Sequence, residues 1–254
     1  MVKVLYEIKQ NIGWITINRP HVRNAVDFEV IQLLENYIDQ ARHNGDIKIL
    51  VIRGAGHDVF CAGGDLKAFS GLKTSDEAYS MLSKMGKVLK KLFYFPKPTV
   101  ALLNGTAVGG GCEIAAACDL RIASANAKVG FIQGTLGITT GWGGGTYLME
   151  RIPKLQALDL LWSAGKITAK QAAEKGFLQH LIKNGSLVEE CCSYLNRYTE
   201  HAVEVLEAYK KVYLDSLQGR NVDKRVEDEI KACAQLWESD VHHHAVSAFF
   251  NNNI

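Results

Sequence analysis

No window of about 18 consecutive apolar residues occurs in this 254-residue chain, so no segment reads as a membrane-spanning helix. Strong charge of either sign is also missing. The formal net charge is +2, and no basic run is interleaved with aromatics, which argues against a nucleic-acid partner. The six cysteines, Cys61, Cys112, Cys118, Cys191, Cys192 and Cys233, have no zinc-ribbon spacing, and the adjacent Cys191 and Cys192 are poorly placed for a mutual disulfide. They read as free thiols of a reducing compartment, and a cytoplasmic location is expected. Met1 to Glu7 holds no long apolar stretch before its first acid and does not read as a signal peptide. Neither Gly-x-Ser-x-Gly nor a P-loop occurs. Gly141-Trp142-Gly143-Gly144-Gly145 lacks the spacing, the long preceding strand and the downstream acid of a dinucleotide loop. His242-His243-His244 falls in a helical stretch, where successive side chains diverge by about 100° and cannot converge on one metal. A solvated helix face is expected there, and no metal site.

What is present is a large apolar fraction, 47% of residues, enough for a substantial core in one large domain or one domain with an appendage. Residues 2–9 and 13–18 read as a hairpin turning around Asn11-Ile12-Gly13. Apolar residues at helical spacing predict helices over 27–43, with Asp27 as N-cap, and over 75–93, with Ser75 as cap. Strands are expected at 48–54, 99–103 and 119–123, and a short apolar helix at 111–118. The glycine-rich stretch 129–146 reads as a loop folded tightly against something, and from 153 onward the chain reads as mostly helical. Alternating strands and helices in the first half imply α/β units with a largely parallel sheet. The helical tail is better suited to packing on a neighbour than to forming its own core.

Two glycine-rich turns stand out: Cys61-Ala62-Gly63-Gly64-Asp65-Leu66 and Val108-Gly109-Gly110-Gly111-Cys112-Glu113. Each follows an apolar strand and leads into a helical stretch. Glycine lets a ligand approach the main chain, and a helix N-terminus offers unpaired N–H groups with partial positive charge. Two such groups aimed at one oxygen form an oxyanion hole, which suits an enzyme that polarises a carbonyl and stabilises an enolate. Either turn alone reads better as a mere tight turn; both together, each between a strand and a helix, favour the oxyanion hole. Glu113 sits in a stretch whose neighbours Ile114, Ala115, Ala116 and Ala117 are apolar or small, so its carboxyl is buried at a cost unless it is paired or functional.

These motifs, in order, resemble the crotonase superfamily, also called the enoyl-CoA hydratase/isomerase family. The resemblance runs from Ile17-Asn18-Arg19-Pro20 and Arg23-Asn24-Ala25 through Phe60–Lys67, Pro96–Ala101, Gly109–Ala115 and Cys118-Asp119. It continues through Leu136-Gly137-Ile138, Gly141-Trp142-Gly143-Gly144 and the segment from Ala172 to Leu178. It implies an α/β fold: a crotonase-like ββα spiral core over residues 1–195 and a C-terminal helical oligomerisation region over 196–254, building a homotrimer or a dimer of trimers. It implies an acyl-CoA substrate, with coenzyme A as part of that substrate and no other cofactor. The oxyanion donors carry over to the backbone of Gly64 and Gly110, and Glu113 to an acid–base glutamate. Ala62, Gly64, Asp65, Leu66, Lys67 and Gly110 line the acyl-CoA site, and Arg23 and Ala25 fall where adenine and phosphate contacts begin.

Two departures bear on chemistry. Family hydratases pair two glutamates, and the position of the second is Gln133 here, an amide that holds water but carries no proton near neutral pH. Hydration of a 2-enoyl-CoA is the first expectation. The alternatives are a decarboxylase of methylmalonyl- or ethylmalonyl-CoA type and a catalytically weak acyl-CoA-binding subunit. Decarboxylation forms the enolate without a base, and Gly137 to Gly144, with Trp142, resembles the ethylmalonyl-CoA decarboxylase branch; otherwise Trp142 reads as a packing residue. The chain also ends Phe249-Phe250-Asn251-Asn252-Asn253-Ile254, without the basic segment that often holds a CoA phosphate. Lys67, Arg23 or lysines of a neighbouring subunit are then the expected phosphate partners. His57 is expected in an exposed loop and Asp119 as a structural carboxylate.

Overall fold

A computed structural model describes residues 2–251; Met1, Asn252, Asn253 and Ile254 lie outside the described residues. β1 (Val4–Lys9) and β2 (Ile12–Ile17) form the expected hairpin, with Lys9 opposite Ile12. Its two-residue turn is Gln10-Asn11, both at positive φ (54° and 59°), and Ile12 and Gly13 already belong to the strand. That conformation gives the type I′ turn whose twist matches paired strands.

Helix α1 (Phe28–Arg42) starts where Asp27 accepts a hydrogen bond from the N–H of Val30 at 2.9 Å. β3 (Ile49–Gly54) and the short β4 (Val59–Cys61) follow, then α2 (Leu66–Phe69), a single turn. α3 (Ser75–Phe93) is capped by Thr74 rather than Ser75, because Thr74 and Glu77 form a reciprocal capping box. The pattern repeats with β5 (Thr99–Leu103), β6 (Thr106–Val108) and α4 (Gly110–Ala117), then with β7 (Leu120–Ser124) and β8 (Lys128–Gly130). The stretch 129–146 is therefore not one loop. It holds the end of β8, a 3-10 turn at Ile132–Leu136 and the start of α5 (Gly144–Arg151).

The rest is α6 (Lys154–Ser163), β9 (Ile167–Thr168), α7 (Ala169–Glu174), β10 (His180–Ile182), α8 (Leu187–Thr199), α9 (Val203–Asp215), α10 (Val222–Trp237) and α11 (Asp240–Asn251). One sheet runs β1-β2-β3-β5-β7-β10, parallel apart from the hairpin. A second runs β4-β6-β8-β9, with only the last pair antiparallel. Each turn of the spiral thus lays a long strand in one sheet and a short strand in the other.

The apolar runs in β3 and β5 follow from burial on both faces. Leu50, Ile52, Ala101 and Leu103 face the main core, while Ile49, Val51, Val100 and Leu102 pack with Cys191 and Leu195 of α8. Asp119 has the expected structural role. It accepts from the N–H and hydroxyl of Thr99, lies 3.0 Å from Arg151 and pairs with Lys210 of α9. Those cations hold its carboxyl below the usual range despite burial. All six cysteines are free, and all but Cys192 are buried. α10 folds back onto α3 and α5 of its own chain, and Trp237 donates from Nε1 to the carbonyl of Leu72 at 3.1 Å.

Candidate active site

The ends of the short strands β4 and β6 converge, because they are neighbours in the second sheet. A Cβ placed on Gly63 would lie 2.8 Å from the amide nitrogen of Gly110, so the two glycine turns touch and only glycine fits between them. Gly110 opens α4, whose positive end faces the junction. Among the described residues, neither the N–H of Gly64 nor that of Gly110 donates a hydrogen bond. The indole of Trp142 covers both glycines: a Cβ on Gly110 would lie 2.1 Å from Cζ3, and one on Gly64 would lie 3.7 Å from Cζ2. Trp142 therefore packs, as its type suggests, and also forms a wall of the site.

A cavity of about 650 Å³ opens at this junction. It brings together every site residue expected from sequence: Arg23, Ala25, Ala62, Gly64, Asp65, Leu66, Lys67, Gly110, Glu113 and Gln133. They are not equivalent. The Asp65 carboxylate caps α2 through the N–H of Ala68 and lies 3.0 Å from Arg19, so its charge is already matched. Arg23 and Lys67 are exposed at the rim. His57 is exposed and does not line this cavity.

Glu113 is 2% exposed and accepts four hydrogen bonds. Its Oε1 takes the Gln133 amide at 3.0 Å and the N–H of Gly141 at 3.3 Å; its Oε2 takes the N–H groups of Trp142 at 2.7 Å and Gly144 at 2.9 Å. Gly144 is required here, since a Cβ would sit 2.3 Å from Cγ of Glu113. Burial raises the proton affinity of this carboxyl and the nearby Glu229 charge adds to it, while the three amides oppose both; the result is a pKa of about 7. A carboxyl with that value gives up or takes a proton readily near neutrality. Gln133 spends its amide nitrogen on Glu113, and its Oε1 is buried without a partner in the protein.

Some of the site was not legible in the sequence. Glu229 of α10 accepts from the N–H of Gly145 at 2.9 Å and of Thr146 at 2.8 Å, next to the amides that hold Glu113. Nothing local separates it from the surface acids of the same helix. The helical tail, read as a surface for a neighbour, also closes this cavity, through Cys233 and Trp237 of α10 and Phe249 and Phe250 of α11. His242 overturns the expectation of a solvated face. It is 2% exposed, its Nδ1 lies 2.7 Å from the carbonyl of Leu136 and its ring packs on Trp237 at 4.6 Å. Because α11 lies against the 3-10 turn, one histidine of three must point inward. No group of three or more His, Cys, Asp or Glu able to hold a metal occurs among the described residues.

Residues 7–252 match the family model described as enoyl-CoA hydratase/isomerase. The chain is 28% identical over 247 residues to the short-chain-enoyl-CoA hydratase of Clostridium acetobutylicum, covering 97% of this chain and 94% of that protein. It is 33% identical over 208 residues to the (E)-benzylidenesuccinyl-CoA hydratase of Thauera aromatica (82% and 80% covered). Over 205 residues it is 33% identical to the ethylmalonyl-CoA decarboxylase of Gallus gallus (79% and 68% covered). Among solved structures, an enoyl-CoA hydratase from Bacillus halodurans superposes with a TM-score of 0.88 at 25% identity, covering 97% of this chain and all of the other. With the ββα spiral, the paired glycine turns and the family match extending over nearly all of its length, the chain belongs to the enoyl-CoA hydratase/isomerase family.

Proposed function

We propose that this protein is an acyl-CoA lyase that works through a thioester enolate, with hydration of a 2-enoyl-CoA as its reaction. The observation that carries the reading is the pair of unengaged amides, Gly64 and Gly110, beside a buried carboxyl that titrates near 7. The thioester oxygen accepts from both amides, and each such donor contributes about 2.7–4 kcal/mol to a developing oxyanion. Glu113 takes a proton from water as the water oxygen bonds to Cβ of the enoyl group; the enolate forms, and Glu113 returns that proton to Cα. The free Oε1 of Gln133 accepts the water's other hydrogen and so holds it for attack. Arg23 and Lys67 meet the CoA phosphates at the rim, and Ala25, Ala62, Asp65 and Leu66 contribute the wall between rim and junction. This reaction draws on no cofactor beyond the CoA thioester.

A second reading is favoured by Gln133 itself, which leaves Glu113 as the one proton carrier at the junction. In a malonyl-CoA derivative the C–CO₂ bond breaks, its electron pair enters the enolate and CO₂ leaves. Protonated Glu113 then supplies Cα with a proton and is reprotonated by solvent. The relative named ethylmalonyl-CoA decarboxylase supports keeping this alternative.

Val205, Tyr209 and Val212 form an exposed apolar stripe on α9, and Leu155 and Trp162 another on α6. Covering them in a homotrimer or a dimer of trimers, built by the helical region 196–254 on the core 1–195, removes these surfaces from water. A cytoplasmic location fits the free thiols. Pure protein incubated with crotonyl-CoA and separately with ethylmalonyl-CoA, with products followed by mass, tests the chemistry. Water added to the first supports hydration, and CO₂ lost from the second supports decarboxylation. Binding without turnover of either overturns both and leaves a binding subunit.

A further inference from the structure

The first turn of α5 is shared by two carboxylates from different parts of the chain, one buried (Glu113) and one half-buried (Glu229). Glu113, on α4, takes the N–H groups of Trp142 and Gly144; Glu229, on α10, takes those of Gly145 and Thr146. Desolvation pushes the Glu229 carboxyl above the ordinary glutamate range, and the hydroxyls of Thr140 and Thr146 with the two amides oppose it, giving the carboxylate donors on both oxygens without a cation. Neither glutamate takes part in any ion pair among the described residues.

We propose that Glu229 is a positioning residue for the acid–base carboxyl: it pins the helix turn whose amides hold Glu113 and, as a second negative charge, sets the pH range in which Glu113 exchanges its proton. This rests on the reading of Glu113 given above. The other groups facing the pair make Glu229 the dominant charged neighbour. Tyr147 on α5 and Cys233 on α10 are both held neutral by burial, as is Cys112 on α4. On the cavity side stand Asp65, matched to Arg19, and Arg23, Lys67 and Lys166. Like charges sharing one hydrogen-bonded turn raise each other's proton affinity, so losing the charge at 229 lowers that of Glu113. The device ties the tail helix α10 to the chemistry through main-chain amides, with no contact from Glu229 to the substrate.

Selective carbon-13 labelling of glutamate carboxyls, with NMR titration of the full chain, reads Glu113 directly, assigned by its loss in Glu113→Gln. In the unaltered protein the Glu113 carboxyl titrates far above an ordinary glutamate and in two steps, reporting its neighbour. In Glu229→Gln its midpoint falls by at least half a pH unit, and the pH limb of turnover that depends on Glu113 moves the same way, a threefold or greater change in rate at a fixed pH on that limb. A merely structural role for Glu229 lowers thermal stability but moves neither midpoint nor limb, and that outcome overturns the proposal. If Glu229→Gln does not fold, the unaltered chain decides: a single-step titration at an ordinary glutamate value refutes the coupling. Should Glu113→Gln retain full turnover, the acid–base reading fails, while the NMR midpoint still judges the link between the two carboxyls.

Discussion

Replacing Glu113 by glutamine tests chemistry and stability together. The free Oε1 of Gln133 eases the change: a half-turn of that amide lets it receive the N–H of the introduced carboxamide, whose oxygen keeps the amides of Trp142 and Gly144, while the weaker bond from the Gly141 N–H is lost. Turnover is expected to fall by about 10²–10⁴, the usual contribution of a positioned acid–base group. The stability effect has a definite sign. The folded pKa of about 7 lies above the ordinary 4.5, so the full native advantage is present below 4.5 and is lost as pH rises through about 7. At about 1.4 kcal/mol per tenfold change in proton affinity, the unaltered protein loses roughly 2–3 kcal/mol between pH 5 and pH 8 through this group alone. The glutamine variant lacks that slope. Urea unfolding of both proteins at pH 5 and pH 8 measures the difference, which corresponds to roughly 5–10 °C in Tm for a domain of this size. A difference between the two slopes below about 0.5 kcal/mol would refute a buried carboxyl titrating near neutrality.

Three further changes follow from the same geometry. Gly110→Ala drives a methyl group into the Trp142 indole and costs about 1–3 kcal/mol, and a Trp142→Ala partner restores part of that in a double-mutant cycle; additive losses count against the contact. Gln133→Glu places a second carboxyl about 3.0 Å from Glu113 Oε1, so crotonyl-CoA hydration is expected to rise, and an unchanged rate contradicts the two-carboxylate logic. Asp119→Asn leaves Arg151 and Lys210 buried without their shared carboxylate and lowers stability by about 3–5 kcal/mol in chemical denaturation; a loss under 1 kcal/mol makes that cluster marginal.

The long helices were legible because their apolar residues recur at helical spacing over many turns: α1 and α3 lie within a residue of their expected limits. Glu113 was legible for a related reason, as a lone acid in an apolar stretch that had to be buried. The second sheet was not, because its strands are two or three residues long and carry no periodicity, and the start of α5 was hidden by the glycines that its packing on Glu113 requires.

Sequence alone determined the α/β class, the two glycine turns and the identity of the buried acid, since each is written in neighbouring residues. Only the tertiary structure decided that Glu229 shares the helix turn that holds that acid, that the two phenylalanines of α11 line its cavity, and that His242 is buried rather than solvated. Burial of a polar or aromatic side chain on an amphipathic helix depends on what the helix is laid against, and α10 and α11 meet the site across more than 80 residues of intervening chain.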